Sequence, residues 1–300
     1  MNTHKFYLTS LSLGQSKPMI LVFGGQKDFN IGRLLRYLKN QEIEHFPLVL
    51  REDYHPTVLW DMESDALIVD GIPIYPTAIY LRQDVFQSSP LSDTLGRSIY
   101  TLLRSYAIAH ESIQMFNKDY IGMHKAYNLH LAQRFNLEIP KTSISNHLAF
   151  LKALPGKDDV IVKPLAGGAY TQTLSTYLSK DTALGADVLF IQERLIQPEM
   201  RIYYINGETY AFHMNSDELD YRVDPKVKIT IANAEDEIVQ RFVSMCQFLN
   251  LTYAAADFKT SATDGKYKFL EVNSSPMFAA FDKVVNGDIC KAISSFLTQG

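Results

Sequence analysis

The amino-acid sequence predicts an α/β (α+β) fold on two observations. Near the N-terminus, residues 18–23 form an apolar run, and residues 31–40 after it have the pattern of an amphipathic helix. Near the C-terminus, residues 253–257 and 267–272 form two further apolar runs on either side of Asp264-Gly265, a dipeptide typical of hairpin turns. Strands that alternate with helices in one part of a chain and form hairpins in another are characteristic of mixed α/β proteins.

Between these two ends the chain is long enough for several domains. Its 300 residues allow two or three domains with a substantial core. Short strands are expected at residues 46–50, 66–69 and 78–81, and a helical stretch that leads out of the first domain is expected at residues 97–117. We therefore predict an N-terminal α/β domain, a central domain and a C-terminal domain, with the respective bounds 1–105, 106–195 and 196–300.

Three oxygen-bearing side chains lie at the ends of the two C-terminal strands. Asp257 ends the first strand, and Glu271 and Asn273 end the second, so pairing of the strands would bring all three to one end of a sheet. Carboxylate and amide oxygens suit Mg²⁺, and Mn²⁺ could replace it. Burying a Glu within an apolar strand costs free energy unless a cation or a hydrogen-bond donor pairs with it. The alternative is a surface hairpin whose Glu faces water.

Two lysines upstream have the positions of phosphate ligands. Lys163 lies in the apolar run 160–164, where a lysine usually meets an anion, although a structural lysine with its charge in solvent is the alternative. Gly167 and Gly168 follow in a loop whose backbone N–H groups can approach phosphate; the pair also fits an ordinary hairpin turn. Lys125 opens a helix-like stretch that ends before Pro140, since the residue before a proline favours an extended conformation.

The segment between the lysines and the metal candidates can serve a nucleotide base. An apolar strand runs into Gln192 and Glu193, and with Leu195 it could offer backbone donors and acceptors to an adenine edge. Glu199 is placed to reach a ribose hydroxyl. Arg201 could clamp a transferring phosphoryl group with two hydrogen bonds. Considered alone, the segment is a strand and a connection.

The order of these residues resembles the ATP-grasp superfamily of carboxylate ligases. The resemblance covers about residues 115–282, and its most specific part is Glu-Val-Asn-Ser-Ser-Pro at residues 271–276. The chain has no Walker lysine motif and no G-x-G-x-x-G motif. The resemblance implies a fold in which the central and C-terminal domains sandwich ATP, with Mg²⁺ as the metal. It implies nucleotide contacts from the residues at 125, 163, 167, 168, 192, 193, 195 and 199.

Within the superfamily the chain is similar to two groups. The spacing from Lys125 to Pro140 resembles the RimK-like glutamate ligases that act on a ribosomal protein. Three short segments resemble the graspetide synthetases, which macrocyclise ribosomal peptides: Tyr80-Leu81-Arg82, Lys163-Pro164-Leu165 and Asp220-Tyr221-Arg222. In those enzymes an Asp-x-Arg motif engages the precursor peptide. The resemblance therefore implies that Arg82, Asp220 and Arg222 contact substrate; for Arg82, a surface arginine is the alternative.

The chain also departs from both groups. Ser-Ser-Pro follows Asn273, where graspetide synthetases have Pro-x-Gly and an aromatic residue. Val-Asp follows Arg222, where the glutamate ligases soon have an Asn. The glycine loop after Lys163 also contains fewer glycines than is usual.

The expected activity is that of an ADP-forming ligase with ATP as its partner. A carboxylate-bearing substrate, a precursor peptide on the second resemblance, would be activated as an acyl phosphate and joined to an amine or hydroxyl. Arg201 and Arg222 are the expected catalytic residues. Three alternatives stay open: a RimK-like ligase that adds amino acids to a small molecule or a protein C-terminus, an ATP-grasp kinase, and a non-catalytic peptide-binding module.

Composition excludes several other classes. A net charge of −4 gives no general attraction to nucleic acid. No apolar run is long enough to span a bilayer, and residues 1–5 do not open a secretory signal, so we expect a cytoplasmic protein with no membrane partner. Cys246 and Cys290 lie in helix-like surroundings and are expected to be buried small apolar residues. A homodimer and a homotetramer both stay open.

Overall fold

The computed structural model describes residues 19–83, 90–120, 122, 124–166, 171–180, 187–216 and 226–299. It confirms the mixed α/β class. The chain forms two compact units, one of Met1–Met115 with Leu297–Gly300 and one of Phe116–Phe296. The three domains expected from the sequence, and the boundary at residue 195 within the second unit, stay predictions.

The first unit is built on a parallel sheet. Its elements are β1 Ile20–Gly25, α1 Phe29–Asn40, β2 His45–Leu50, β3 Val58–Asp61, β4 Ala66–Val69, β5 Ile72–Ile74, β6 Ala78–Leu81 and α2 Pro90–Ala109. The parallel strands have the order β2-β1-β6, and a second, antiparallel sheet has the order β3-β4-β5. A Cβ atom on Gly24 would lie 2.5 Å from the Ile31 side chain, so glycine allows α1 to pack closely on β1.

The second unit contains two antiparallel sheets. Its elements are α3 Lys125–Arg134, β7 Thr142–Ser145, α4 Leu148–Ala153, β8 Val160–Pro164, β9 Gln172–Thr173, α5 Leu174–Leu178, β10 Leu189–Glu193, β11 Ile196–Ile205, β12 Glu208–Asn215, β13 Lys228–Ile231, α6 Asp236–Phe248, β14 Tyr253–Thr260, β15 Tyr267–Asn273, α7 Ala279–Val284 and α8 Asp288–Leu297. The smaller sheet has the order β7-β10-β8-β9 and the larger one β13-β12-β11-β14-β15.

The larger sheet has an apolar face and a charged face. Because side chains alternate along a strand, Met200 and Ile202 of β11 join the core cluster that also contains residues of α3 and α6. Arg201 lies between these two residues and Tyr203 follows them, and both project from the opposite face of the sheet. Helices α3 and α6 thus cover one side of the sheet. The other side carries Arg201, and α7 packs there through Phe281.

A β-bulge aligns the last two strands. Asp257 of β14 is opposite Glu271 of β15, but the next residue, Phe258, is opposite Phe269, so Leu270 has no partner in the ladder. Phe258 and Phe269 are both buried, with their ring centroids 5.6 Å apart in a T-shaped arrangement. The extra residue therefore places Phe269 in the core while Glu271 stays opposite Asp257.

The hairpin between these strands turns at Asp264 and Gly265, as predicted, and Gly265 has a positive φ of 70°. Lys268 donates hydrogen bonds to Asp264 at 2.6 Å and to Glu138 at 2.6 Å, and Lys266 donates to Glu138 at 2.8 Å. Glu138 lies just beyond α3. This network ties the chain after α3 to the hairpin.

None of the helices in the ranges given above combines the length and the apolar character that a bilayer crossing requires.

Candidate active site

The charged face of the larger sheet brings together an arginine and two carboxylates. Arg201 of β11 is opposite Asp257 of β14, which in turn is opposite Glu271 of β15. Directly opposed residues on antiparallel strands share a face and lie close together. Asn273 lies two residues beyond Glu271, opposite Ala255. Asp257 is thus opposite Glu271, as predicted, and Asn273 ends β15. The expectation that Asp257 ends its own strand is wrong, because β14 continues to Thr260.

Arg201 is fixed on both sides. Its Nε donates to Oδ1 of Asp257 at 2.6 Å and its Nη2 donates to Oδ2 at 2.7 Å, while each side chain is only 8% exposed. Its guanidinium carbon lies 5.3 Å from the ring centroid of Phe281 on α7, within range of a cation–π interaction. A buried, bidentate pair of this kind holds both groups in a defined orientation before any ligand binds.

Glu271 is held by two donors. Lys125 Nζ lies 3.0 Å from its Oε2, and Asn273 Nδ2 donates to its Oε1 at 3.3 Å. Burial is the largest single influence on the pKa of Glu271 and would raise it, but the ammonium of Lys125 opposes this effect by its charge and its hydrogen bond. The charge of Lys163 and the amide of Asn273 act in the same direction as Lys125, and together these groups hold the pKa below its ordinary value. Glu271 is therefore an ionised carboxylate at neutral pH.

Lys163 reaches this region from the smaller sheet. It is paired across the ladder with Phe190 of β10, and its Nζ lies 5.4 Å from the centroid of the Phe190 ring. Its positive charge contributes to the lowered pKa of Glu271 on the larger sheet. The two predicted lysines thus act on one carboxylate from different elements. Gly167 and Gly168 lie outside the described residues.

The predicted adenine-binding segment ends a central strand. Gln192 is 2% exposed; its Nε2 donates to Thr142 Oγ1 at 2.9 Å, and its Oε1 has no hydrogen-bond partner among the described residues. A buried acceptor without a hydrogen-bond partner lowers the stability of the fold, so a ligand or a water molecule is expected to bind at this atom. The backbone N–H of Glu193 donates to the carbonyl oxygen of Lys141, and its side chain accepts a hydrogen bond from the Lys141 N–H. Leu195 is buried. Contact of this segment with a base stays a prediction.

Glu199 is also on the charged face, where it pairs with Lys259 at 3.2 Å. Both side chains are at most 10% exposed. Burial raises the pKa of Glu199 and outweighs the opposing charge of Lys259. Contact of Glu199 with a ribose stays a prediction, and the Lys259 contact is an addition that the sequence reasoning missed.

Arg82 belongs to the first unit and follows β6. It is 4% exposed, and its Nε donates at 2.7 Å to Asp28, which caps the N-terminus of α1 through the backbone N–H of Asn30. The alternative of a surface arginine is therefore wrong. Contact with substrate stays a prediction, as it does for Asp220 and Arg222, which lie outside the described residues.

Two supporting residues were missed because their sequence signals are weak. Phe281 lies in an apolar stretch that is typical of any amphipathic helix, so nothing marks it as the ring beneath Arg201. Lys259 alternates with the apolar Phe258, a pattern that normally indicates a solvent-exposed lysine. Its position two residues after Asp257 on the same face was the available signal.

The donor set on this face fits a hard divalent cation. It supplies two carboxylates and one amide oxygen, and the low pKa of Glu271 keeps that carboxylate charged. Because Asn273 presents its nitrogen to Glu271, its oxygen is the atom suited to a cation. Within the described ranges, no three His, Cys, Asp or Glu side chains form a metal-binding group. A cation here would thus depend on Asn273 and on oxygens of other molecules in addition to Asp257 and Glu271.

Comparison with known proteins identifies the fold. No protein-family model and no curated protein matches the chain. Among solved structures, it is similar to the ATP-grasp ligase PsnB complexed with a minimal precursor, Mg and ADP, with 26% identity, a TM-score of 0.70, and coverage of 93% of this chain and 97% of that chain. It is also similar to the macrocyclase MdnC from Microcystis aeruginosa MRC bound with the precursor peptide MdnA, with 18% identity, a TM-score of 0.72, and coverage of 94% and 100%.

A more distant similarity is to D-alanine–D-alanine ligase from Bacillus anthracis complexed with ATP, with 15% identity, a TM-score of 0.54, and coverage of 95% and 100%. The chain therefore has the ATP-grasp fold, as its sequence resemblance implied.

Proposed function

We propose that this chain is an ATP-dependent, ADP-forming ligase that joins a carboxylate to an amine or hydroxyl on a peptide. The observation that carries the proposal is the arrangement around Glu271. Lys125 contacts this carboxylate, and the charge of Lys163 helps to lower its pKa. The Arg201–Asp257 pair lies beside it on the same face of an ATP-grasp sheet. Cations and hard oxygen ligands gathered at one place suit a nucleotide triphosphate with its metal.

A peptide substrate is supported by two further observations. PsnB and MdnC, to which the chain is similar along nearly its whole length, were each solved with a precursor peptide or minimal precursor. The sequence also contains Asp220-Tyr221-Arg222, which resembles the precursor-binding motif of graspetide synthetases. We therefore prefer a peptide to a free amino acid as substrate.

The residues have distinct roles in such a reaction. A substrate carboxylate oxygen attacks the γ-phosphorus of ATP, the bond to the bridging oxygen breaks, and ADP leaves with that electron pair. Lys125 and Lys163 would neutralise phosphate charge, and Arg201, fixed by Asp257, would present its remaining N–H groups to the transferring phosphoryl group or the acyl phosphate. The amine or hydroxyl then attacks the acyl carbon, phosphate leaves, and the nucleophile loses its proton to solvent or phosphate.

Asp257, Glu271 and Asn273 would hold Mg²⁺, which when bound supplies charge neutralisation to the phosphates. The low pKa of Glu271 means that this carboxylate is ready for a cation at neutral pH without first losing a proton.

The test is product analysis with synthetic peptides rich in Asp and Glu together with Lys, Ser or Thr. The purified protein is incubated with ATP and Mg²⁺, the peptide is examined by mass spectrometry, and the nucleotide is examined by chromatography. We expect peptides that have lost water, with ADP formed in step. A gain of a phosphoryl group would identify a kinase, and a gain of amino-acid residues a RimK-like ligase. Peptide binding without nucleotide turnover would identify a non-catalytic module.

A further inference from the structure

The segment at residues 274–277, directly after Asn273, is held by side chains from three other places. Ser274 O accepts a hydrogen bond from Asn117 Nδ2 at 2.7 Å. Pro276 O accepts from the Tyr253 hydroxyl at 3.2 Å, and Met277 O accepts from the Tyr203 hydroxyl at 2.5 Å. A segment without secondary structure of its own is thus fixed through its backbone carbonyls.

Asn117 is the centre of this arrangement. Its Oδ1 accepts from the backbone N–H groups of Thr252 at 2.8 Å and Tyr253 at 3.0 Å, and its Nδ2 donates to Tyr253 O and Ser274 O, both at 2.7 Å. Its own N–H donates to Thr252 Oγ1 at 3.0 Å. Its φ of 55° lies in the left-handed region, which Asn tolerates better than most residues. The carboxamide therefore pairs with the backbone at the start of β14 and bridges it to the residue after β15.

The position of this bridge matters for the candidate metal ligands. The ladder between β14 and β15 ends where Ala255 pairs with Asn273, so beyond that pair no strand hydrogen bond holds the end of β15. Asn117 supplies the next connection, one residue further along at Ser274. At its other end, the 274–277 segment leads into α7, whose Phe281 lies against Arg201. The 274–277 segment thus connects Asn273 at one end to α7, which carries Phe281, at the other.

We propose that Asn117 is a positioning residue that, with the two tyrosines, fixes the 274–277 segment so that Glu271 and Asn273 meet Mg²⁺ in one geometry. Asn117 touches neither the cation nor the nucleotide in this proposal. The inference rests on the proposed function, because it assumes that these residues bind Mg²⁺ with a nucleotide. Residues that orient metal ligands typically contribute about 10- to 100-fold to metal affinity.

The test uses Asn117→Asp, which has nearly the same size and keeps an acceptor but cannot donate to the two carbonyls. Calorimetry measures the association constant for ADP with Mg²⁺ and without it. The ratio of the first constant to the second gives the effect of the metal on ADP binding. We expect this ratio to fall by about 10- to 100-fold in the variant, with the metal-free affinity unchanged. Thr252→Ala is the matched control, because it removes the acceptor for the Asn117 N–H but leaves the bond to Ser274 in place. Its ratio should equal that of the wild type.

Two hydroxyl deletions keep the proposal testable if Asn117→Asp does not fold. Tyr203→Phe and Tyr253→Phe each remove one bond to the 274–277 segment and should each lower the ratio by about 2- to 10-fold. An unchanged ratio in a folded Asn117→Asp protein, or in both tyrosine variants, overturns the inference. A wild-type protein that binds ADP equally well with and without Mg²⁺ would instead overturn the proposed function, so the two failures are distinct.

Discussion

Arg201→Met should strongly destabilise the protein even in the absence of any nucleotide. The substitution keeps a side chain of similar length but leaves Asp257, which is 8% exposed, without its bidentate partner. Removing one member of a buried ion pair costs about 3–5 kcal/mol, because the other charge stays buried and uncompensated. For a domain of about 150–250 residues this corresponds to a fall in Tm of roughly 6–20 °C.

The measurement is thermal and urea unfolding of the ligand-free protein. The Glu237–Arg241 pair supplies the control, because both side chains are much more exposed, at 69% and 34% respectively. Glu237→Gln should cost no more than about 1 kcal/mol. An Arg201→Met protein that loses no more stability than Glu237→Gln would refute the argument.

A double-mutant cycle sharpens the result. In Arg201→Met/Asp257→Leu no charge stays buried, so the double variant should be more stable than Arg201→Met alone. A double variant that is no more stable than Arg201→Met would contradict this account.

Four other changes test the site and its surroundings. Glu271→Gln should abolish ATP turnover while leaving Tm nearly unchanged; normal turnover with substrate present would disprove the metal role. Lys163→Ala should weaken ATP binding by about tenfold to more than a hundredfold, the loss of one charge-assisted contact, and calorimetry would detect this. Arg222→Ala should reduce peptide processing far more than ATP affinity if Arg222 binds the peptide; an unaffected ligation rate would remove Arg222 from the site. Hydrogen bonds from Lys268 and from the Lys266 backbone lower the pKa of Asp264 from 3.8 to about 2. The stability that this carboxylate contributes is present above pH 3.8 and is lost as the pH falls through 2, so Asp264→Asn should flatten the acid loss of stability over that window.

The sequence predicted the carboxylate cluster because strand periodicity and turn chemistry are local. The turn at Asp264-Gly265 fixes which strands pair, and the apolar runs beside it fix the approximate ends of those strands. These two facts predicted that Asp257 and Glu271 lie near each other, although β14 continues past Asp257 to Thr260 and a β-bulge sets the final register. The first lysine was predictable for a similar reason, since it opens a helix-like stretch whose end is marked by a proline.

The contacts between distant segments could not be predicted in this way. Asn117 lies 135 residues from Thr252 in the sequence and bonds to it by its side chain, and no period or turn signal indicates such a pairing. The bidentate contact of Arg201 with Asp257 depends on the order β11-β14, which is a property of the whole sheet. Arg82 could be placed at a strand end from the sequence, but its burial against Asp28 depends on how α1 packs.

The unpaired Leu270 has a consequence for how related sequences are aligned. It divides β15 into two stretches whose alternation is out of phase, so Phe269 points to the core although it lies two positions from Glu271, which points to the other face. An alignment that assumes strict alternation through this strand would assign one of the two residues to the wrong side. Deleting a single residue here would move the side chains of the following residues to the opposite face of the sheet. Apolar replacements at Phe269 would leave the orientation of Glu271 unchanged. Insertions and deletions at this point should consequently be much rarer among homologues than substitutions.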